Sequence, residues 1–356
     1  MKKTLLATAI AGAAFASGAQ AATIYNEDGT KLDLYGNIQM AYKSIDQGAD
    51  GSEDEIFDNG STVGFAGEHL ITSDLTGYFK AEFEHESDEA KNNGGLRGGD
   101  QAYMGLKGSF GDARLGSYDP LIDDWIQDPI TNNEFFDVSD SSFSRSLDSV
   151  RLVGEQSREG NKFTYTSPSF SGVQFAVGTQ YEGDAEDENF SGSSNASAFG
   201  GVKYTADAFS IAAVYDNLDN LDGTYGGVDV DAGDQYGVTA QYTIDTLRIA
   251  AKVERFETDN ADTEDANFYA LGARYGYGNG DIYGAYQYVD VGAGDLRNTL
   301  GDTISGDYEA NESYNEVILG ATYNISDAMY TFVEGAMYDR EDDKEDGVAV
   351  GAVYLF

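Results

Sequence analysis

The sequence predicts an all-β protein: a 16-stranded antiparallel transmembrane β-barrel with an inward-folded third loop. Three observations predict it. Segments of about ten residues alternate apolar and polar along most of the chain, which is the period of a strand with unlike faces. The connections between them alternate strictly between short turns and long acidic stretches, as they do when strands run up and down between two different sides of a membrane. One long connection, residues 119–156, does not alternate and carries enough apolar residues to pack against something.

The first 21 residues read as an export signal. Lys2 and Lys3 form a positive start, residues 5–15 an apolar core, and Ala19-Gln20-Ala21 a small-x-small cleavage site. The expected organisation is therefore a signal peptide over 1–21 and a single barrel domain over 22–356. Without Lys2 and Lys3 the chain holds 19 basic and 63 acidic residues, a formal charge of −44. That balance argues against nucleic acid as a partner, since phosphate binding needs a basic face, and it favours cations. There is no cysteine, so an exported chain must be stable without disulfides. The 25 Tyr, 19 Phe and 44 Gly against 3 Pro suit strands and turns. No mature segment runs 18 apolar residues, so no helix is expected to span a membrane, whereas a barrel strand needs only about 9–11 residues with one apolar face.

Residues 31–43 set the pattern. Leu32, Leu34, Ile38, Met40 and Tyr42 share one face; Asp33, Tyr35, Asn37, Gln39 and Lys43 share the other. The alternation returns at 60–71, at 75–85 and near 99–109, 112–118, 157–167, 172–181, 197–206, 208–216, 233–244, 246–256, 266–276, 281–290, 313–324, 328–338 and 347–356, which makes sixteen segments. Long connections are expected at 44–59, with six acids and no base, at 182–196, with five acids and no base, and at 217–232, 257–265 and 339–346. A soluble β-sandwich would not place aliphatics and aromatics on one face of nearly every strand and Gly, Thr, Gln, Lys and Glu on the other. In hydrocarbon only a closed barrel satisfies every strand's backbone groups.

The stretch 119–156 contains Trp125, the single tryptophan, with Ile126, Phe135, Phe136, Val138 and Phe143, and among its acids Asp119, Asp123, Asp124, Asp128, Glu134 and Asp137. Its aromatics argue against disorder and for folding into the barrel. Strand parity points Lys80, Glu82, Lys162, Arg248, Lys252 and Arg274 to the lumen. No catalytic constellation is present. His69 and His85 sit in no metal or triad pattern, and Gly276-Tyr277-Gly278-Asn279-Gly280 is a turn with no helix after it. No enzyme is expected and no cofactor, apart from weak Ca²⁺ or Mg²⁺ binding at the acidic outer loops through oxygen ligands.

The chain closes with an alternating strand ending in Phe356. That strand, together with Leu32-Asp33-Leu34-Tyr35-Gly36, Gly64-Phe65-Ala66-Gly67-Glu68, Ser73-Asp74-Leu75-Thr76-Gly77-Tyr78 and the run Glu316 to Tyr323, resembles the trimeric general diffusion porins of Gram-negative bacteria. The likeness covers the whole chain, strongest at both ends and weakest over 180–310. It implies a homotrimer in the bacterial outer membrane, in contact with lipid and lipopolysaccharide, that passes small hydrophilic solutes and ions. It also implies a constriction where acids of the third loop face basic wall residues. By the resemblance Glu134-Phe135 matches the family's Glu-Phe step, with Asp128 just before it; Arg158 matches a family arginine and Glu82 a lumen carboxylate. Asn37, Thr62 and Asp100 stand where enteric members carry Lys or Arg, so the basic ladder is thinned, with Lys80 beside Glu82 restoring part of it. The acid excess then favours cations. The competing readings are a barrel specialised for one solute and a secreted, acidic, Ca²⁺-dependent adhesive β protein.

Overall fold

The computed structural model describes residues 21–89, 96–126, 134–136, 138, 160–181, 195–225, 228–230, 233–257, 259, 265–291, 313–339 and 345–356, with 97–100, 221, 223–225, 228–230 and 291 as backbone alone. The expected signal segment, residues 1–20 of it, lies outside that set. The strands are β1 (Ala22–Glu27), β2 (Thr30–Asp46), β3 (Ser52–Asp58), β4 (Thr62–Thr72), β5 (Leu75–His85), β6 (Leu96–Gly108), β7 (Gly111–Ser117), β8 (Lys162–Thr166), β9 (Val173–Tyr181), β10 (Ala196–Ala206) and β11 (Phe209–Asn217). They continue with β12 (Gly223–Tyr225), β13 (Val228–Val230), β14 (Asp234–Ile244), β15 (Leu247–Glu257), β16 (Ala266–Gly276), β17 (Asp281–Val291), β18 (Tyr314–Ser326), β19 (Met329–Tyr338) and β20 (Gly347–Leu355). A single α-helical turn, α1 (Leu121–Trp125), follows β7.

The barrel strands pair antiparallel in chain order, except that β4 pairs with β2 past β3 and β14 with β11 past the β12–β13 hairpin, and β2 closes the ring on β20 through Asn37↔Leu355 to Ile45↔Gly347. The closure extends to the last residue: Phe356 and Gly36 exchange both backbone hydrogen bonds, 2.9 and 3.0 Å. β2 has two partners in line on each edge. One edge takes β20 and then β1; the other takes β4 and then β3. Eighteen strands therefore fill the sixteen positions of a closed antiparallel barrel, while β12 and β13 form a separate hairpin. Closure joins the first and last barrel strands, which is the condition for stability in hydrocarbon.

The sixteen expected segments and the observed strands coincide within a few residues; β1 (Ala22–Glu27) is not among them, the expected connection 217–232 holds the β12–β13 hairpin, and one connection is corrected. Residues 44–59 are not a loop: β2 runs on to Asp46 and β3 returns from Ser52, with the turn at 47–51. Acids depress strand propensity, but here Glu53, Asp54 and Glu55 each have a cross-strand partner. Lys43 bridges Glu53 and Glu55, both at 2.7 Å, and the Tyr42 hydroxyl donates to Asp54 at 3.0 Å.

Burial is inverted relative to a water-soluble protein. Leu319, Met104, Met337 and Leu271 point outward and stand more than half exposed, whereas Lys162, Lys252, Glu254, Gln287, Glu316 and Glu334 are buried inside. β11 shows the rule residue by residue: Phe209, Ile211 and Tyr215 face out, and Ser210, Ala212, Val214 and Asp216 face in. Tyrosines collect outside at both ends of the strands. Tyr215 and Tyr236 stack at 6.5 Å, and Tyr269 and Tyr288 at 6.4 Å, near the long-loop end; Tyr242, Tyr275 and Tyr323 ring the short-turn end. An apolar band between two aromatic girdles matches a bilayer and its interfaces.

Candidate functional site: the barrel lumen and its third loop

The long connection after β7 enters the barrel at two described places. The first is α1. Its apolar residues Leu121, Ile122, Trp125 and Ile126 fall on one side of a single turn and pack on inward-facing Ala176, Phe199, Ala212 and Val214 of β9 to β11. The wall is kept thin where the loop lands: a Cβ on Gly237 of β14 would lie 2.8 Å from Ile126 Cγ2. The second place is the segment 134–138 on the opposite wall. Phe136 and Val138 are buried against Ala41, Ala285, Ile318, Phe332, Ala336, Ala349 and Val353, and Phe135 meets Phe57 edge-on with ring centroids 4.9 Å apart.

A polar clamp holds that second place. The Glu334 carboxylate on β19 accepts three consecutive backbone N–H groups, from Glu134 at 2.6 Å, Phe135 at 2.8 Å and Phe136 at 3.0 Å. The Tyr283 hydroxyl donates to the same carboxylate. Hydrogen bonds to an ionised acceptor are the strong ones. Around the clamp, Asn59 Nδ2 donates to the Glu134 carbonyl at 2.6 Å and the Tyr330 hydroxyl to the Glu134 carboxyl at 2.9 Å. Burial pushes the Glu134 carboxyl up to about 7, and the nearby Glu334 charge adds to this while the Tyr330 hydrogen bond opposes it.

Asp119, Asp123 and Asp124 lie at the other landing. Burial pushes Asp124 up to about 6, with Asp119 and Asp123 adding to the shift and the positive charges of Arg114 and Lys162 opposing it. Arg114 of β7 sits 4.8 Å from the ring centroids of both Tyr103 and Tyr118, Lys162 is 5.0 Å from that of Tyr118, and Lys203 is 5.7 Å from that of Trp125. The three bases thus share the β7–β10 sector with the helix acids.

The described packing of the loop falls on either side of β4 and β5. On that sector and its borders Asn37 Nδ2 donates to Thr62 Oγ1 at 3.0 Å, and Lys80 Nζ lies 3.4 Å from Glu82. Lys80 also donates to Gln101 Oε1 at 3.4 Å, and Gln101 Nε2 donates to Asp119 at 3.0 Å. The expected residues Asn37, Thr62, Lys80, Glu82 and Asp119 are thus neighbours. Asp128, Asp137 and Arg158 lie outside the described residues. Asp100 belongs to β6 by its backbone, at a bulge between Ala81↔Ala102 and Phe83↔Gly99, and its side chain lies outside the description. The lumenal parity of Lys252 and Arg274 holds, each with a carboxylate: Lys252 with Glu254 at 3.3 Å, Arg274 with Asp281 at 3.2 Å.

Sequence reasoning missed Glu334, Gln101, Arg114 and Lys203. A signal existed for Glu334, an acid on the inward face of β19 between Phe332 and Ala336. For the others strand parity gave direction without partners.

The comparisons agree with this architecture. The Gram-negative porin family model matches residues 7–343. A monosaccharide porin of Halomonas sp. and the major outer membrane protein of Halomonas elongata are each 58% identical over 369 aligned positions, covering all of this chain and all of theirs. The trimer form of in-vitro folded OmpT, an outer membrane protein of Vibrio cholerae, shares the fold at a TM-score of 0.64 and 17% identity, over 92% of this chain and 100% of its own. An inside-out closed barrel, an inward-folded loop and a family match spanning almost the whole sequence lead to one assignment: this chain belongs to the Gram-negative porin family of the outer membrane.

Proposed function

We propose that this outer-membrane porin passes small hydrophilic solutes and ions by passive diffusion, with a preference for cations, and works as a homotrimer after removal of residues 1–21. One observation carries the charge preference. Three bases on the described lumenal wall are each matched by a carboxylate, Lys80–Glu82, Lys252–Glu254 and Arg274–Asp281, so the acid excess of the chain is left as the net field acting on ions. The third loop, seated on two opposite walls, is what narrows the passage, with Asp119, Asp123, Asp124 and Glu134 from the loop and Asn37, Thr62, Lys80 and Glu82 from the wall as its lining. Asp128, Asp137, Arg158 and Asp100 belong to the same lining by sequence. The trimer draws support from the trimeric form of the OmpT relative. The acidic outer loops hold Ca²⁺ or Mg²⁺ weakly and so tie the rim to lipopolysaccharide; chelation should then lower the trimer's melting temperature, and an unchanged melting temperature counts against bound ions.

Planar-bilayer recording under a salt gradient tests the main reading. Openings in steps of three with a cation-favouring reversal potential are expected. An anion-favouring potential overturns the charge argument, and absence of conductance overturns the channel.

A second reading, a channel adapted to sugars, is favoured by the name of the Halomonas relative. It predicts that monosaccharide flux saturates with concentration, where plain diffusion predicts linear flux.

A further inference from the structure

The β2–β3 hairpin overhangs the neighbouring wall at the end of the long connections, which is the outer side of the membrane. β3 and β4 lie in line on one edge of β2. β5 covers the far edge of β4 but stops at the level of Ser61, whose carbonyl takes the His85 N–H at 2.8 Å. Beyond that level β3 has a strand on one side only. Among the described residues it pairs with β2 and with no other strand.

Two hydrogen bonds fix which way its backbone groups point. The Asn59 N–H donates to the Gln39 carbonyl of β2 at 3.1 Å, whereas the Asp58 N–H donates away from β2, to the Asp88 carboxylate at 2.9 Å. By the two-residue period, Glu53, Glu55 and Phe57 turn N–H and C=O to β2, and Ser52, Asp54 and Ile56 turn theirs to the open edge. Asp88 caps that edge at Asp58. From Ser52 to Ile56 the strand is exposed, Ile56 at 71%.

The two faces beside the edge differ in chemistry. Phe57 meets Phe135 of the third loop, so its face is the inner one. Glu53 and Glu55 share that face, and Lys43 bridges both at 2.7 Å, which leaves one negative charge in excess. The outer face presents Ile56 opposite Tyr42. An unpaired strand edge is a template for another strand. Two copies of this edge repel each other through Glu53, Asp54 and Glu55, so charge selects a basic occupant over a second copy of the chain.

We propose that the open edge of β3 docks an extended cationic peptide from outside the cell, added as one more strand. Backbone hydrogen bonds to Asp54 and Ile56 hold it in register. Its basic side chains lie beside Glu53 and Glu55, and the apolar side chains that alternate with them lie on the face of Ile56. The Asp88 cap ends the docked strand short of Asp58.

The test uses the full-length protein in detergent micelles at low salt, with calorimetric titration of a short, end-blocked peptide of alternating Lys and Val. The control is the same peptide with every backbone nitrogen methylated, which keeps the charge and removes the donors. The plain peptide is expected to bind about tenfold more tightly, as one or two net backbone hydrogen bonds predict, and to slow amide exchange at Asp54 and Ile56. Ile56→Pro removes an open-edge N–H and leaves the ladder to β2 intact; it is expected to abolish the preference. Equal affinity for the two peptides reduces the attraction to charge alone and overturns the proposal. Unchanged exchange at Asp54 and Ile56 with the peptide bound overturns the location. Both results come from the unmodified protein. An undiminished preference in Ile56→Pro overturns the edge assignment.

Discussion

Glu334 concentrates more of the loop's position than any other described side chain. Its carboxylate holds three successive N–H groups, and Gln in its place would keep only one oxygen and turn an N–H₂ toward donors. Glu334→Gln should therefore weaken seating of the 134–136 segment by about 3 kcal/mol, the scale of a hydrogen bond to a charged group lost together with an unsatisfied donor. Single-channel recording should show larger and noisier currents; a quiet trace of unaltered conductance would mean that the hydrophobic contacts alone seat the loop. Glu134 adds a pH dependence of definite sign. Its carboxyl titrates at about 7 when seated against an ordinary 4.5. Between those values the seated loop keeps a proton that the released loop gives up, so seating is strongest below 4.5 and weakens as pH rises through 7. Current fluctuations should accordingly increase from pH 5 to pH 8, and Glu134→Gln should flatten the trend.

At the scale of elements, the inner wall is built by laying a ring on a glycine of the next strand. Tyr283 of β17 crosses Gly320 of β18, where a Cβ would stand 2.2 Å from Tyr283 Cζ, and this posture lets its hydroxyl reach Glu334 on β19. Phe332 crosses Gly351 in the same way. Gly320→Ala should cost about 1–3 kcal/mol by overpacking and release Tyr283 from Glu334. Both show as a lower temperature for the heat-induced gel-mobility shift and as the noisy current of Glu334→Gln; a normal current would uncouple the ring from the clamp. These elements also mark what was legible in the sequence. The sixteen principal barrel strands were, because alternation is local and covers each of them; β1 was not among them. β3 was not, because Glu53, Asp54 and Glu55 look like loop residues until Lys43 and Tyr42 are set opposite them. The two landings of the third loop were legible only as an apolar surplus. That Asp124 turns toward Arg114 and Lys162, and Glu134 toward Tyr330, depends on where Gly237 and Gly320 leave room, which no local pattern encodes.

For the molecule as a whole, the outward apolar band is a contract with lipid. Leu271, on β16 with more than half its surface outward, tests it: Leu271→Arg should cost about 2–4 kcal/mol if the residue lies near the bilayer midplane. Urea titration of folding into vesicles would read the loss, and no loss would place β16 away from the hydrocarbon. The lumen obeys another rule, since charges there are tolerated when matched, as Lys252 and Glu254 are with no exposed side-chain surface. One chain thus keeps an apolar exterior and a polar interior, each strand serving both through its two-residue period.

The clamp also has a consequence in time. Glu134 and Glu334 are 200 positions apart, and β19 is the penultimate strand. Until that strand is in place the three N–H groups of the third loop have no carboxylate to meet. The 134–136 landing therefore cannot close before β19 is placed, whereas the α1 landing on β9 to β11 can form without that strand.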